Sequence, residues 1–390
     1  MKKLFVLVSF SILFSPSMKA QPILFKKVGQ LLSKEILIKA NEDLKSKPIT
    51  ITSYQSGRSA GGVHDFFSEA DYWWPDALNP SGPYIQKDGQ TNPANFSEHR
   101  LAMIRFSQMV GNLTSAYLLT KDNNYAVKAI QHCKAWFVDT ATKMNPSLLY
   151  AQAIKGKVTG RGVGIIDMIQ MIEVAQSIMV LEKQHAIKAE DLIEIKKWFQ
   201  QYLQWVTTHP YGIDEREAKN NHGTCWTMQV AVFAKLVNDK TLLNYCDNRF
   251  KTLLLPSQMD LNGSFPLELK RTKPYGYSLF NLDAMYTLAH VLSTKENNLW
   301  EFKTANGVSL KKGIEFLYPF VANKNSWTLP KDIMYWENWP VAHPFLLFGY
   351  TAYGNQDWLT TWSNLEHFPT TAEVIRNLPI RNPLLWITNN

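Results

Sequence analysis

The segment Lys219-Asn220-Asn221-His222-Gly223-Thr224-Cys225-Trp226 puts two amides and an imidazole where a polar loop meets the apolar run Met228-Gln229-Val230-Ala231-Val232-Phe233-Ala234. The first N–H groups of a helix lack internal partners, so Asn220 or Asn221 can cap them. The positive end of the helix dipole there favours an anion such as a carboxylate. A second stretch, Gly263 to Tyr277, carries Glu268, Arg271, Tyr275 and Tyr277 ahead of another apolar helix. A phenol ionises near pH ~10, so a tyrosine that is to act as a base needs a cation such as Arg271 beside it. A third, Asp71-Tyr72-Trp73-Trp74-Pro75-Asp76, offers flat rings with polar edges, as do Trp226, Trp336 and Trp339 elsewhere. Such rings stack on sugar faces, but they also build cores, and most of the 13 tryptophans must do the latter.

Other patterns lack the context their chemistry requires. Gly57-Arg58-Ser59-Ala60-Gly61 fits the spacing of a hydrolase nucleophile elbow, yet Gly62-Val63-His64-Asp65 follows it where an apolar helix should begin. It reads as a glycine loop. Gly160-Arg161-Gly162-Val163-Gly164 leads into a helix and can seat an anion, with Arg161 near a carboxylate, but it has neither the dinucleotide nor the phosphate-loop spacing. The nine histidines show no dense ligand spacing and there is no calcium-loop pattern, so no metal or other cofactor is expected.

The elements that must position these residues are helices. Residues 24–46, 99–120, 123–139, 163–184, 190–207, 222–237, 240–254, 278–294 and 308–321 each repeat apolar residues at three-and-four spacing. Only Pro48-Ile49-Thr50-Ile51-Thr52 reads as extended, which argues against a parallel nucleotide-binding sheet. Short polar turns such as Lys121-Asp122-Asn123-Asn124 close antiparallel helical hairpins. The expected fold is all-α, an incomplete (α/α) toroid, with long loops around residues 71–93, 144–164, 258–277 and 326–344 forming a cleft. No linker divides the chain, so residues 21–390 are expected to be one domain.

Lys2-Lys3, the apolar run Leu4 to Phe14 and the small-residue end at Ala20 read as a secretory signal peptide over residues 1–20. The expected site of action is therefore exported, periplasmic or extracellular. Removing that leader takes Lys2, Lys3 and Lys19 from a formal charge of +8 and leaves +5. A scattered basic excess suits an acidic polysaccharide better than nucleic acid. Cys133, Cys225 and Cys246 lie in apolar helical patterns and read as core thiols. Beyond the leader, no uninterrupted apolar segment is expected to span a membrane, and the chain is expected to be a monomer.

These stretches together resemble the alginate lyase family of polysaccharide lyases. The resemblance runs from about Asp65 to about Pro344. It rests on Tyr72-Trp73-Trp74-Pro75-Asp76, Pro83-Tyr84-Ile85-Gln86-Lys87-Asp88-Gly89 with Asn92-Pro93, Met144-Asn145-Pro146 with Tyr150-Ala151-Gln152, Asn220-Asn221-His222, and Arg271 with Tyr277. The family's incomplete toroid is implied, as are catalytic roles for Asn221, His222, Arg271 and Tyr277. Substrate contacts are expected at Tyr72, Trp73, Trp74, Tyr150, Gln152, Arg161, Glu268 and Trp336. The better-known branch places its tyrosine in a Leu-His-Tyr-His context one residue further from the arginine, whereas this chain has Tyr275-Gly276-Tyr277-Ser278; Tyr275 is the alternative.

The implied reaction is β-elimination in a uronate polymer. A base removes the C5 proton, Asn221 stabilises the charge gathering on the carboxylate, and Tyr277 protonates the departing O4. When the proton and O4 share a face, as in mannuronate, one tyrosine can serve as base and then acid. In guluronate they do not, and His222 is the natural base. The alternatives are a lyase for another uronan such as glucuronan and a non-catalytic exported polysaccharide-binding protein. A glycoside hydrolase would need opposed carboxylates, and Asp71, Asp76, Asp88 and Glu268 are not obviously paired.

Overall fold

The computed structural model of the protein describes residues 17–388. Of the expected leader, residues 1–16 lie outside these and residues 17–20 open the first helix. Helices α1 (Ser17–Lys45), α2 (Glu98–Thr120) and α3 (Asn123–Phe137) pack side by side, followed by α4 (Met171–Lys183), α5 (Ala189–Thr208) and α6 (Pro210–Glu217). Next come α7 (Asn221–Val237), α8 (Lys240–Arg249), α9 (Leu255–Gln258), α10 (Pro266–Leu269), α11 (Pro274–Leu292) and α12 (Leu310–Ala322). The chain closes with α13 (Pro344–Tyr353), α14 (Gln356–Asn364) and α15 (Ala372–Arg376). The architecture is an α/α toroid. Buried apolar residues from Leu24 to Ile387 form one continuous core.

At the middle of the arrangement stands α7, which packs against α4, α5, α6, α8 and α11. From Gly223 to Ala234 all its residues are buried. A helix apolar on every side belongs inside a larger helical protein. Gly223 is needed for a local reason: a Cβ there would collide with the carbonyl oxygen of Ala218. The α6–α7 connection can therefore lie directly on the start of α7.

Most helix positions follow the apolar spacing, with four departures. Residues 162–170 form a 3-10 helix before α4, and residues 250–254 form a π-helical turn after α8. Gly162–Lys183 is long and apolar enough to cross a membrane, contrary to expectation, but 89% of its apolar window is buried inside the protein. Pro48–Thr52 is not a strand. The Thr50 hydroxyl accepts the Thr52 N–H and the segment turns into a 3-10 helix at Ile51–Ser53, a side-chain cap winning over β propensity.

The strands lie in the long loops. β1 (Phe67–Glu69) and β4 (Tyr150–Ala153) pair in parallel, Phe67 opposite Tyr150 and Glu69 opposite Ala153. β2 (Trp73–Trp74) and β3 (Ile85–Gln86) pair antiparallel, Trp73 opposite Gln86. These short ladders fix the loops at the mouth of the toroid. The three cysteines are free and buried.

Candidate active site

A cavity of about 410 Å³ opens where these loops meet the starts of α7 and α11. Its walls include Tyr72, Trp73, Gln152, Arg161, Asn221, His222, Arg271 and Tyr277, brought together from widely separated parts of the chain. Asn220 caps α7, its side-chain oxygen accepting the His222 N–H, which leaves Asn221 and His222 as the first helical residues.

The imidazole of His222 is oriented by Glu215 on α6. Nδ1 lies 2.7 and 3.0 Å from the two carboxylate oxygens. Glu215 is fully buried, and a carboxylate so placed holds the proton on Nδ1. Nε2, on the opposite edge of the ring, makes no hydrogen bond among the described residues and is free to accept a proton.

Asn221 is held by Glu268 on α10. Its backbone N–H donates to Oε1 at 2.7 Å and its Nδ2 donates to Oε2 at 2.8 Å. A side-chain amide has two N–H groups, so one remains for the cavity. Burial raises the Glu268 carboxyl, while these bonds from Asn221 pull it down. Glu268 is 1% exposed and does not line the cavity. It stands behind Asn221 as seen from the cavity.

Tyr277 and Tyr275 part company on α11. The Tyr277 ring lies under the Arg271 guanidinium, 4.6 Å from its centroid, and its hydroxyl is 2.9 Å from that of Tyr72. Burial, then the neighbouring Tyr72, push its phenol well above the usual range against the pull of Arg271, so it is neutral at ordinary pH. Tyr275 is fully buried, its hydroxyl donating to the Phe320 carbonyl and its ring packed on Trp327 and Trp336. Its phenol is also raised by burial. It does not reach the cavity.

The cavity wall is cationic but mostly balanced. Arg271 is paired with Asp88 at 2.8 Å, and Thr272 donates to the same carboxylate at 2.9 Å. Burial opposes ionisation of Asp88, yet Arg271 holds its carboxyl below the usual range. Arg376, another wall residue, is paired with Asp71 at 2.8 Å. Burial disfavours the Asp71 anion too, and Arg100 and Arg376 outweigh it. Arg161 differs: it donates to the Gln152 carbonyl at 3.1 Å and side-chain oxygen at 2.9 Å, and makes no salt bridge among the described residues. Gln152 sits at φ +50°, uncommon for a residue with a side chain. Besides Arg161, the Ser68 hydroxyl holds it there by accepting its N–H.

Besides Glu268, three expected contacts fall outside the cavity walls. Trp74 donates its ring N–H to the Gln90 carbonyl, Tyr150 lies against the Gly61 loop, and Trp336 packs between Tyr275 and the ammonium groups of Lys324 and Lys331. Residues given no site role by the sequence reading serve the cavity instead. Glu215 and Asp88 hold the His and the Arg, and Arg376 enters the wall from near the C-terminus.

A helical toroid whose cleft gathers an Asn–His pair, a tyrosine beneath an arginine and an unpaired guanidinium has the design of a polysaccharide lyase. The family model described as "Alginate lyase" matches residues 50–327, and the chain belongs to that family. It is a polysaccharide lyase. Among solved structures, an alginate lyase from Bacteroides ovatus is 28% identical, with a TM-score of 0.79 over 95% of this chain and 98% of that one. Alginate lyase A1-III from Sphingomonas species A1 is 13% identical, with a TM-score of 0.52 over 83% of this chain and 88% of that one. A variant of A1-III complexed with a tetrasaccharide gives 13% identity and 0.58 over 89% of each chain. These last two bear on the fold alone. Among curated proteins, none matches the chain.

Proposed function

We propose that the protein is an exported enzyme that cleaves alginate by β-elimination, leaving 4,5-unsaturated uronate ends. The observation that carries this reading is the convergence of the Tyr277 hydroxyl, the His222 ring, the Asn221 amide and the unpaired Arg161 on one cavity. The similarity to the Bacteroides ovatus alginate lyase supports the choice of polymer.

In this reading Arg161 and the free N–H of Asn221 receive the uronate carboxylate. As the C5 proton leaves, charge moves onto that carboxylate, and donors fixed beforehand stabilise it most. His222 takes the C5 proton through Nε2 when it lies on the face opposite O4. Glu215 keeps the other nitrogen protonated and steadies the imidazolium that forms. The C4–O bond breaks with its electron pair going to oxygen, a C4–C5 double bond forms, and Tyr277 gives its proton to the departing oxygen. A tyrosine that is neutral at rest suits that acid role. For a same-face proton Tyr277 must first be a phenolate, and the cation over its ring favours that form.

Initial rates should be read as absorbance of the unsaturated uronate on mannuronate-rich alginate, guluronate-rich alginate and glucuronan. Product from alginate is expected. Product from glucuronan alone would move the substrate assignment, and no unsaturated product from any of the three would overturn the assigned activity.

A further inference from the structure

Behind Tyr72 lies a lysine that the reaction as written does not use. Lys273 is 3% exposed, and its ammonium is held between the Glu373 carboxylate at 2.5 Å and the Tyr72 hydroxyl at 2.9 Å. It also sits 5.0 Å from the centre of the Tyr72 ring, 5.1 Å from that of Tyr277 and 5.4 Å from that of Tyr335. Burying an ammonium is costly unless it is paired, and an apolar residue would serve packing better. Its partner Glu373 lies on α15, a hundred residues away and beyond residues 50–327 matched by the family model.

The chemistry of the donor orders the chain of hydrogen bonds. An ammonium has no lone pair, so the Tyr72 oxygen must accept from Lys273. The Tyr72 hydroxyl has one proton, and among the described residues its other partner is the Tyr277 oxygen. With that proton pointed at Tyr277, the Tyr277 proton is released from the pair and can point into the cavity. A donor that itself accepts from a cation is a stronger donor.

We infer that Lys273, fixed by Glu373, is a positioning residue that works through Tyr72: it aims the Tyr277 proton at the departing oxygen and stabilises the phenolate left behind. This rests on the assignment of Tyr277 above. The same donor chain serves a same-face elimination, in which the phenolate is the base. Other charges face this group: Arg271 over the Tyr277 ring, Arg376 beside Glu373, and the carboxylates of Asp71, Asp88 and Asp332. They remain when Lys273 alone is replaced, and the Glu373 carboxylate then keeps Arg376, at 3.5 Å, as its ion-pair partner.

The test replaces Lys273→Met, Lys273→Arg and Tyr72→Phe, singly and with Lys273→Met and Tyr72→Phe combined. Lys273→Met should lower kcat by roughly 10- to 100-fold with KM little changed, less than the loss of a direct transition-state donor. Lys273→Arg should restore most of it. Without the cation the phenolate forms at higher pH, so the limb of the pH–rate profile that reports the tyrosine pair should move upward. Adding Tyr72→Phe to Lys273→Met should cost little more, because both break one chain. Phenolate formation followed by ultraviolet difference spectra gives the same shift without substrate. That arm decides the inference even if no uronan is cleaved, an outcome that would instead count against the proposed activity. An unchanged phenolate titration in Lys273→Met would overturn the inference. So would equal losses in the Met and Arg variants with an unchanged pH profile and a lowered Tm, the pattern of a merely structural lysine.

Discussion

Replacing Tyr277 by Phe separates chemistry from packing cleanly. The ring under Arg271 is retained, and only the hydroxyl 2.9 Å from that of Tyr72 is lost. A neutral hydrogen bond contributes about 1 kcal/mol net, and for a chain of this size that moves Tm by only a few degrees. An acid that protonates the leaving oxygen contributes about two to four orders of magnitude, or about 3–5 kcal/mol of barrier. The kcat of Tyr277→Phe should therefore fall by that amount on both mannuronate-rich and guluronate-rich blocks. Tyr275→Phe is the control. It removes the donor to the Phe320 carbonyl in a fully buried place, which should cost about 1–2 kcal/mol of stability while kcat stays within about threefold. Initial rates and thermal unfolding followed by circular dichroism, measured on the same preparations, give both numbers. The assignment would be refuted if Tyr277→Phe kept more than about a tenth of kcat, or if Tyr275→Phe lost as much as Tyr277→Phe at unchanged Tm.

His222→Ala should abolish cleavage of guluronate-rich blocks and reduce that of mannuronate-rich blocks less. Glu215→Gln, whose amide can present N–H to Nδ1 and reverse the tautomer, should follow the same block preference, and equal losses on both blocks would argue against His222 as the opposite-face base. Arg161→Met should raise KM by roughly 10- to 100-fold, the worth of a charge-assisted hydrogen bond, with the effect shrinking in high salt; a KM that does not move would remove Arg161 from the carboxylate's site. Asp332 accepts the N–H groups of Tyr275 and Gly276 at the start of α11, and burial, partly offset by those bonds, pushes its carboxyl up to about 6. The folded chain thus keeps a proton that the unfolded chain releases near 3.8, so this group's stabilisation falls as pH rises from there to about 6. Asp332→Asn should gain on the wild type by up to about 3 kcal/mol between pH 4 and pH 7 in denaturant titrations, and a pH-independent difference would contradict the shift.

The helices were legible because their signal is local: apolar spacing marks α2, α5 and α7 to within a residue or two. Three short helices near the site, α6, α10 and α15, were not. In α6, only Gly212 and Glu215 are buried, so there is no apolar stripe to read, although His209 as cap and Pro210 at the first turn are start signals. Missing α6 meant missing Glu215, seven residues before His222. Lys273 was visible in the stretch around Arg271, and its place four residues before Tyr277, one helical turn, is the clue that puts it beside that ring. Glu373 and Arg376 had no such clue. They meet Lys273 and Asp71 only through the closure of the toroid, which no local spacing encodes.

The cations around the cavity explain how it can be so basic without repelling itself. Arg271 is matched by Asp88, Arg376 by Asp71 and Lys273 by Glu373, each within 2.8 Å. Such partners hold the positive groups in place in the empty enzyme, but they also neutralise them, so these three pairs add little net attraction for an anion. Buried or half-buried pairs of this kind contribute doubtful stability in themselves. Their value is geometric: they fix the Arg271 guanidinium over Tyr277 and the Lys273 ammonium on Tyr72 before any sugar arrives, so no reorganisation is required in the transition state. Arg161 is the exception: it donates to the two carbonyl oxygens of Gln152, lies over the Trp73 ring and makes no salt bridge among the described residues. In the proposed function the Arg161 guanidinium is the charge left to meet an incoming carboxylate, and it would set where the uronate ring lies relative to the His222 Nε2 and the Tyr277 hydroxyl.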